Sequence, residues 1–326
     1  MNGTIRKLLE VKNLSTHFET KEGTIRAVDG VDLVVNEGDT LGVVGESGCG
    51  KTVLALSIMR LVPTPPGRIV SGNIMFDGID LLRLKEKEMQ KMRGKVISMI
   101  FQEPMTSLNP VLRIGEQIVE VIRRHQDFSK EESLYRAVEM LQLVGIPSPE
   151  RRIRDYPHQL SGGMRQRVMI AIALSCNPRL MLADEPTTAL DVTIQAQIID
   201  LINNLKKQVG TSVVMITHDL GVIAEATQCV AVMYAGKVVE YGQVEDIFSL
   251  PLHPYTVGLM ESIPKIDRGA DSRLTAIPGV VPDLHNLPRG CRFLDRCSYV
   301  MKTCTEEEPE LKEETPGHSV RCWKYA

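Results

Sequence analysis

The apolar run Thr40-Leu41-Gly42-Val43-Val44 leads straight into Gly45-Glu46-Ser47-Gly48-Cys49-Gly50-Lys51-Thr52. This is a GxxxxGK[ST] pattern, standing where a buried strand turns into a helix. Small residues at Gly48 and Gly50 let backbone N–H groups close around phosphate oxygens. Lys51 supplies a compact positive charge for the β- and γ-phosphates. The Thr52 hydroxyl is placed to ligate Mg²⁺, and the N-terminus of the next helix (residues 53–60) adds positive partial charge. A flexible glycine loop with a chance lysine does not account for strand, loop and helix in this order. The chain is expected to bind a nucleoside triphosphate through Gly45, Glu46, Ser47, Gly48, Cys49, Gly50, Lys51 and Thr52.

Around this loop the pattern is that of an α/β core. Residues 8–35 alternate apolar and polar with turn residues at Lys21-Glu22-Gly23 and Asp29-Gly30, which predicts antiparallel strands. A second such stretch covers 69–80. After Val96-Ile97-Ser98-Met99-Ile100-Phe101 the period becomes helical. Ile114, Ile118, Val121 and Ile122 share one helix face, and Ala137, Met140, Leu141 and Val144 another. A helical insert is therefore placed at about 103–160. The core resumes with Leu180-Met181-Leu182-Ala183 and Ser212-Val213-Val214-Met215-Ile216-Thr217, short apolar runs suited to buried parallel strands, joined by a crossover helix from Ile194 to Lys207. Near Ser249-Leu250-Pro251 the character changes. The expected domains are 1–250 and a small cysteine-rich extension, 251–326.

Bulk properties narrow the class. A chain of 326 residues with 43% hydrophobic and 24% charged residues has the composition of a globular protein with about two domains. A net charge of −3 argues against nucleic acid as a partner. No window approaches the ~18–20 apolar residues that cross a bilayer, and the first residues lack an export signal. The expected location is cytosolic unless other subunits hold the chain at a membrane.

The chemistry is expected at strand ends. Leu180-Met181-Leu182-Ala183-Asp184-Glu185 ends in two carboxylates: Asp184 to hold Mg²⁺, Glu185 to orient and deprotonate the attacking water. His218 ends the next strand, on the same sheet edge, within reach of a γ-phosphate. Ser161-Gly162-Gly163, followed by an apolar helix, forms a second anion site from a hydroxyl, backbone amides and a helix N-terminus. One triphosphate does not need two such nests from one chain, so the second is expected to serve the nucleotide of another subunit.

In this order, with Gln102 in Phe101-Gln102-Glu103-Pro104 and the loop Thr188-Ala189-Leu190-Asp191, the motifs resemble the ATP-binding cassette ATPases over about residues 8–250. The resemblance implies that Gln102 touches Mg²⁺ and relays nucleotide state to a membrane partner. It implies that Asp191 lies at a dimer seam and that Phe18 stacks on adenine, a strand-core role being the alternative for Phe18. Catalytic roles then fall to Glu185, His218, Lys51 and Gln102. Met164 and Thr188 depart mildly from the family pattern. Residues 102–110 and Tyr156-Pro157-His158-Gln159-Leu160, leading into the family's signature at 160–164, are similar to the ATPase subunits of dipeptide, oligopeptide and nickel importers. His253-Pro254-Tyr255-Thr256 and the tail cysteines with Arg296 and Pro309 also resemble that group, dipeptide import being the expected branch. Its implied partners are two membrane permeases, a second ATPase subunit, identical or related, and indirectly an external substrate-binding protein. The implied location is the cytoplasmic face of the membrane.

Other cassette classes fit less well. Translation members carry two cassettes per chain, and repair members carry a long heptad coiled coil between phosphate loop and signature. A regulatory module without turnover would not need Glu185 and His218.

Cys291, Cys297, Cys304 and Cys322 are separated by five, six and seventeen residues, which matches neither zinc-ribbon knuckles nor the plant ferredoxin spacing. In a polar tail they favour a metal staple over disulfides. The resemblance implies a [4Fe–4S] cluster, with structural Zn²⁺ as the alternative. Cys49, beside Lys51 at a helix start, is expected either to be a reactive thiolate or simply to fill a position needing a small side chain.

Overall fold

The structure, a computed structural model, describes residues 6–103, 107–188, 190–263 and 277–326. The expected turn residues Pro104, Met105, Thr106 and Ala189 lie outside these. The strands are β1 (Lys7–Thr20), β2 (Gly23–Asn36), β3 (Thr40–Val44), β4 (Gly67–Phe76), β5 (Ile79–Asp80), β6 (Ile97–Ile100), β7 (Leu180–Asp184), β8 (Ser212–Ile216), β9 (Cys229–Tyr234), β10 (Lys237–Gln243), β11 (Lys312–Thr315) and β12 (His318–Val320). The helices are α1 (Lys51–Ile58), α2 (Glu86–Met92), α3 (Ile114–His125), α4 (Lys130–Leu143), α5 (Pro149–Arg152), α6 (Gly162–Leu174), α7 (Val192–Val209), α8 (Leu220–Ala226), α9 (Val244–Ser249), α10 (Pro254–Glu261) and α11 (Lys302–Glu306). They fall into two compact units.

The first unit holds Val35–Asp39 and Arg83–Ile216. Its sheet is parallel: Ile97 pairs with Leu180, and Leu180 with Ser212, so β6, β7 and β8 run in step. Both faces of β7 and β8 are buried, which is why their sequences read as unbroken apolar runs rather than alternations. The expected insert helices are present. Ile114, Ile118 and Ile122 of α3 are buried, as are Ala137, Met140 and Leu141 of α4, while Val121 is half-buried. Ser129 begins α4 with a reciprocal cap: its hydroxyl accepts from the Glu132 N–H at 3.2 Å, and its own N–H donates to the Glu132 carboxylate at 2.8 Å. The crossover helix α7 starts on Asp191 and stops at Gly210, whose φ of +73° suits a left-handed cap.

The second unit holds Lys7–Val34, Thr40–Leu82 and Thr217–Ala326. It contains the four-stranded sheet β2-β1-β4-β5, in which β1 runs antiparallel to β4. It also contains β3 beside β9, parallel, with Leu41 opposite Cys229. β9 and β10 form a hairpin through Ala235 and Gly236, both with positive φ, the geometry that matches strand twist. The sheet then continues into the tail: β12 pairs with β10 and β11 with β12. The tail thus reaches order by extending a sheet that the rest of the unit has already built.

Candidate functional site

The candidate residues fall into two groups, one in each unit. In the second unit, all five residues of β3 are buried, and the chain turns from Val44 through the loop 45–50 into α1. Glycine is obligatory at two of these turns. A Cβ on Gly45 (φ +154°) would lie 2.2 Å from the Met233 carbonyl oxygen, and one on Gly50 (φ +103°) 2.1 Å from that of Ala27. Lys51 is only 5% exposed, an unusual state for an ammonium group. Its Nζ donates to the Gly45 carbonyl at 2.8 Å and the Glu46 carbonyl at 3.1 Å, so its charge sits inside the curl of the loop. Thr52 is half-buried at the first turn of α1.

Of the two roles expected for Cys49, its surroundings favour the second. It is 0% exposed, and burial pushes its thiol up, against the opposing pull of Lys51. The helix start and lysine that suggested a thiolate are outweighed by desolvation. Cys49 fills a tight, enclosed position.

His218 follows Thr217, whose N–H donates to the Val43 carbonyl at 3.2 Å, so it stands beside the end of β3 and is exposed. Phe18 lies on β1 opposite Gly67 and is half-buried.

In the first unit, Gln102, Asp184 and Glu185 all lie at the C-terminal ends of parallel strands, the edge where α/β sheets bind ligands. Asp184 is buried. Glu185 takes a left-handed backbone, φ +46°, a strained state of a kind found at functional sites. Its Oε2 accepts from Gln102 Nε2 at 2.9 Å and from Thr188 Oγ1 at 2.8 Å. Thr188 was read from sequence only as a departure from a pattern; its hydroxyl-to-carboxylate spacing of three residues was the signal for this role.

The first unit also joins the signature to Asp191. Ser161 starts α6, its hydroxyl accepting from the Met164 N–H at 3.4 Å, and Asp191 starts α7, accepting from the Ile194 N–H at 2.9 Å. Ser161, Gly162, Gly163, Met164, Leu190 and Asp191 line one open cleft of about 420 Å³. Two helix N-termini thus bound it: that of α6 favours an anion, while that of α7 is already met by the Asp191 carboxylate.

The tail thiols form no disulfide. Cys291, Cys297, Cys304 and Cys322 are all free. Burial pushes the Cys291 thiol up to about 11, and the charges of the other three tail thiols add to the rise. Burial also raises Cys297 and Cys322. Among the described residues no three Cys, His, Asp or Glu side chains stand together as a metal site. The donor types suit a thiolate-bound metal, but their placement does not.

The likenesses to known proteins agree with this geometry. A family model described as "ABC transporter" matches residues 28–188, and one described as "Oligopeptide/dipeptide transporter, C-terminal region" matches 239–304. The oligopeptide transport ATP-binding protein OppD of Bacillus subtilis (strain 168) is 54% identical, over 98% of this chain and 89% of the relative. The dipeptide transport ATP-binding protein DppD of the same organism is 50% identical, over 98% and 95%. Among solved structures, a dimeric ATP-binding cassette in a post-hydrolysis state with ADP and Pi superposes with a TM-score of 0.65. It is 31% identical, over 72% of this chain and 98% of that one. Strand, phosphate loop, parallel strand ends and tail therefore lead to one conclusion: the chain belongs to the ATP-binding cassette ATPases, in the branch of the oligopeptide and dipeptide transporters.

Proposed function

We propose that this chain hydrolyses ATP to drive a membrane importer of short peptides. The observation that carries the reading is the phosphate loop with Lys51 buried inside its curl, a charge that the fold would not enclose without a use for it. In this reading the loop amides and Lys51 bind the triphosphate and Phe18 stacks on the base. Thr52, Asp184 and Gln102 offer the hydroxyl, carboxylate and amide oxygens that suit Mg²⁺, which when bound neutralises phosphate charge. Glu185 takes the proton of the attacking water, held in place by Gln102 and Thr188. His218 donates to the γ-phosphate.

The cleft of Ser161, Gly162, Gly163 and Asp191 faces the nucleotide of a second ATPase subunit, so that ATP is sandwiched and closure is passed to two permeases. The open cleft at the start of α6, lined by Ser161, Gly162 and Gly163, supports that arrangement. Among the described residues no helix is long and apolar enough to cross a membrane. In this reading the chain sits peripherally on the cytoplasmic face, bound to permeases that are fed by an external binding protein. The functional boundary falls near residue 250, with the importer-specific tail beyond it.

Replacement of Lys51 by Ala tests the loop. Losing charge-assisted hydrogen bonds of about 1.5–3 kcal/mol should weaken MgATP binding about 10- to 100-fold in calorimetry. Wild-type affinity in the variant would refute the assignment.

For the tail, a [4Fe–4S] cluster or Zn²⁺ requires the four thiols to ionise and draw together. Protein purified without oxygen should then show a broad absorbance near about 400 nm for the cluster, or stoichiometric zinc without it. Absence of both metals would leave the tail a purely protein-built module.

A further inference from the structure

Glu46, the second residue of the phosphate loop, is held by residues of the C-terminal segment in the same unit. Each of its polar groups has a partner. Its N–H donates to the Tyr255 hydroxyl at 2.8 Å. Its carboxylate receives Arg296 in a two-pronged pair, Nη1 at 2.6 Å and Nη2 at 3.0 Å. Its carbonyl accepts from Lys51, the phosphate-binding lysine, at 3.1 Å.

The two holding residues are themselves fixed. Tyr255 is fully buried on α10 and packs against Tyr234, with ring centroids 4.7 Å apart. Arg296 is 7% exposed and lies over the rings of Tyr234 and Phe293 at 5.7 and 5.8 Å. Its Nε donates to the Pro278 carbonyl at 2.9 Å. A guanidinium locked by stacking and by a backbone carbonyl presents its fork at little further entropic cost, something a lysine cannot reproduce. A phosphate cradle depends on several loop amides pointing at one place. Any freedom of the Glu46 peptide lowers the fraction of loops ready to bind, and apparent affinity falls by that fraction.

We propose that Arg296 and Tyr255 are positioning residues for ATP: through Glu46 they hold the phosphate loop in its binding curvature, so the importer-specific tail sets the affinity of the cassette's nucleotide site. This rests on the reading that the loop binds ATP. Nothing in the cassette motifs themselves contains or requires either residue.

The test uses the full chain, with MgATP as the probe, in calorimetry and steady-state turnover. Arg296→Ala should raise Kd and KM for ATP about tenfold, as expected if the ready fraction falls to about one tenth, with a much smaller change in kcat. Arg296→Lys should recover part of the loss. Glu46→Gln with Arg296→Ala should be no worse than Arg296→Ala alone, because both remove the same contact. A folded Arg296→Ala chain with wild-type Kd, or strictly additive losses in the double variant, overturns the proposal. Should Arg296→Ala fail to fold, Tyr255→Phe, which removes one oxygen, and Glu46→Gln, at a partly exposed side chain, decide it. Weakened MgATP binding in both supports the clamp, and wild-type binding in both overturns it. The parent reading fails separately: a wild-type chain that does not bind MgATP, or a Lys51→Ala chain that binds it normally, removes the site itself.

Discussion

Glu185→Gln should lower kcat for ATP by about 10²–10⁴-fold, the usual contribution of a positioned general base, while leaving nucleotide binding intact. The substitution keeps the shape of the side chain and an oxygen that can still accept from Gln102 and Thr188, whose donors lie 2.9 and 2.8 Å from the carboxylate. What it removes is the ability to take a proton. A thousandfold loss corresponds to about 4 kcal/mol of barrier. Phosphate-release assays at saturating MgATP measure it directly. Because Lys51 and the phosphate loop belong to the other unit, affinity should change little. If two copies or two related subunits sandwich ATP, the variant should also accumulate as an ATP-dependent dimer in light scattering. Retention of more than a tenth of wild-type turnover would remove Glu185 as the base. A variant that binds ATP yet stays monomeric, alone or with its companion ATPase, would remove the sandwich.

Glu240→Ala should be the most damaging single change to stability in the second unit. Its carboxylate is 0% exposed and accepts from three donors: the Leu252 N–H and the His253 N–H, each at 2.8 Å, and His318 Nε2 at 2.8 Å. Glu240 lies on β10, two of its donors on the approach to α10 and the third on β12, so one side chain joins the edge of the cassette sheet to both ends of the tail. His253 completes the junction. Its Nδ1 accepts from the Tyr255 N–H at 3.0 Å, and burial pushes the ring down to about 3, so it stays neutral. Truncation leaves two backbone N–H groups and an imidazole buried without their acceptor. Breaking such an arrangement costs about 3–5 kcal/mol, equivalent to a fall of about 10 °C in melting temperature for a unit of this size. Glu240→Gln, which keeps an acceptor oxygen, should lose distinctly less. A melting temperature for Glu240→Ala within 2 °C of wild type, as about 1 kcal/mol would give, would show that the junction carries little load.

The ATP site was legible because its signals are local. A phosphate loop, a signature turn and a strand ending in acid are each contiguous, and their chemistry follows from backbone conformation over a few residues. Asp184 and Glu185 could be read as standing at a strand end because an unbroken apolar run implies a buried parallel strand, whereas Gln102 was placed by resemblance. Asp191 was placed by resemblance, and its cleft with Ser161 came from the packing of α6 and α7. Sequence could not choose between the two roles of Cys49: a helix start and a nearby lysine are visible in it, whereas the burial that outweighs them is not. The tail cysteines likewise gave their spacing and donor type, but not the distances among them.

From sequence alone came the nucleotide-binding architecture and its order of strands, insert and tail, since periodicity and turn chemistry act between near neighbours. Tertiary structure decided how the tail is used. Arg296 meets Glu46 across 250 positions and His318 meets Glu240 across 78. Pairings at such separations depend on which sheet edge is open and which charge is left buried. Both are properties of the folded chain and have no local pattern to announce them.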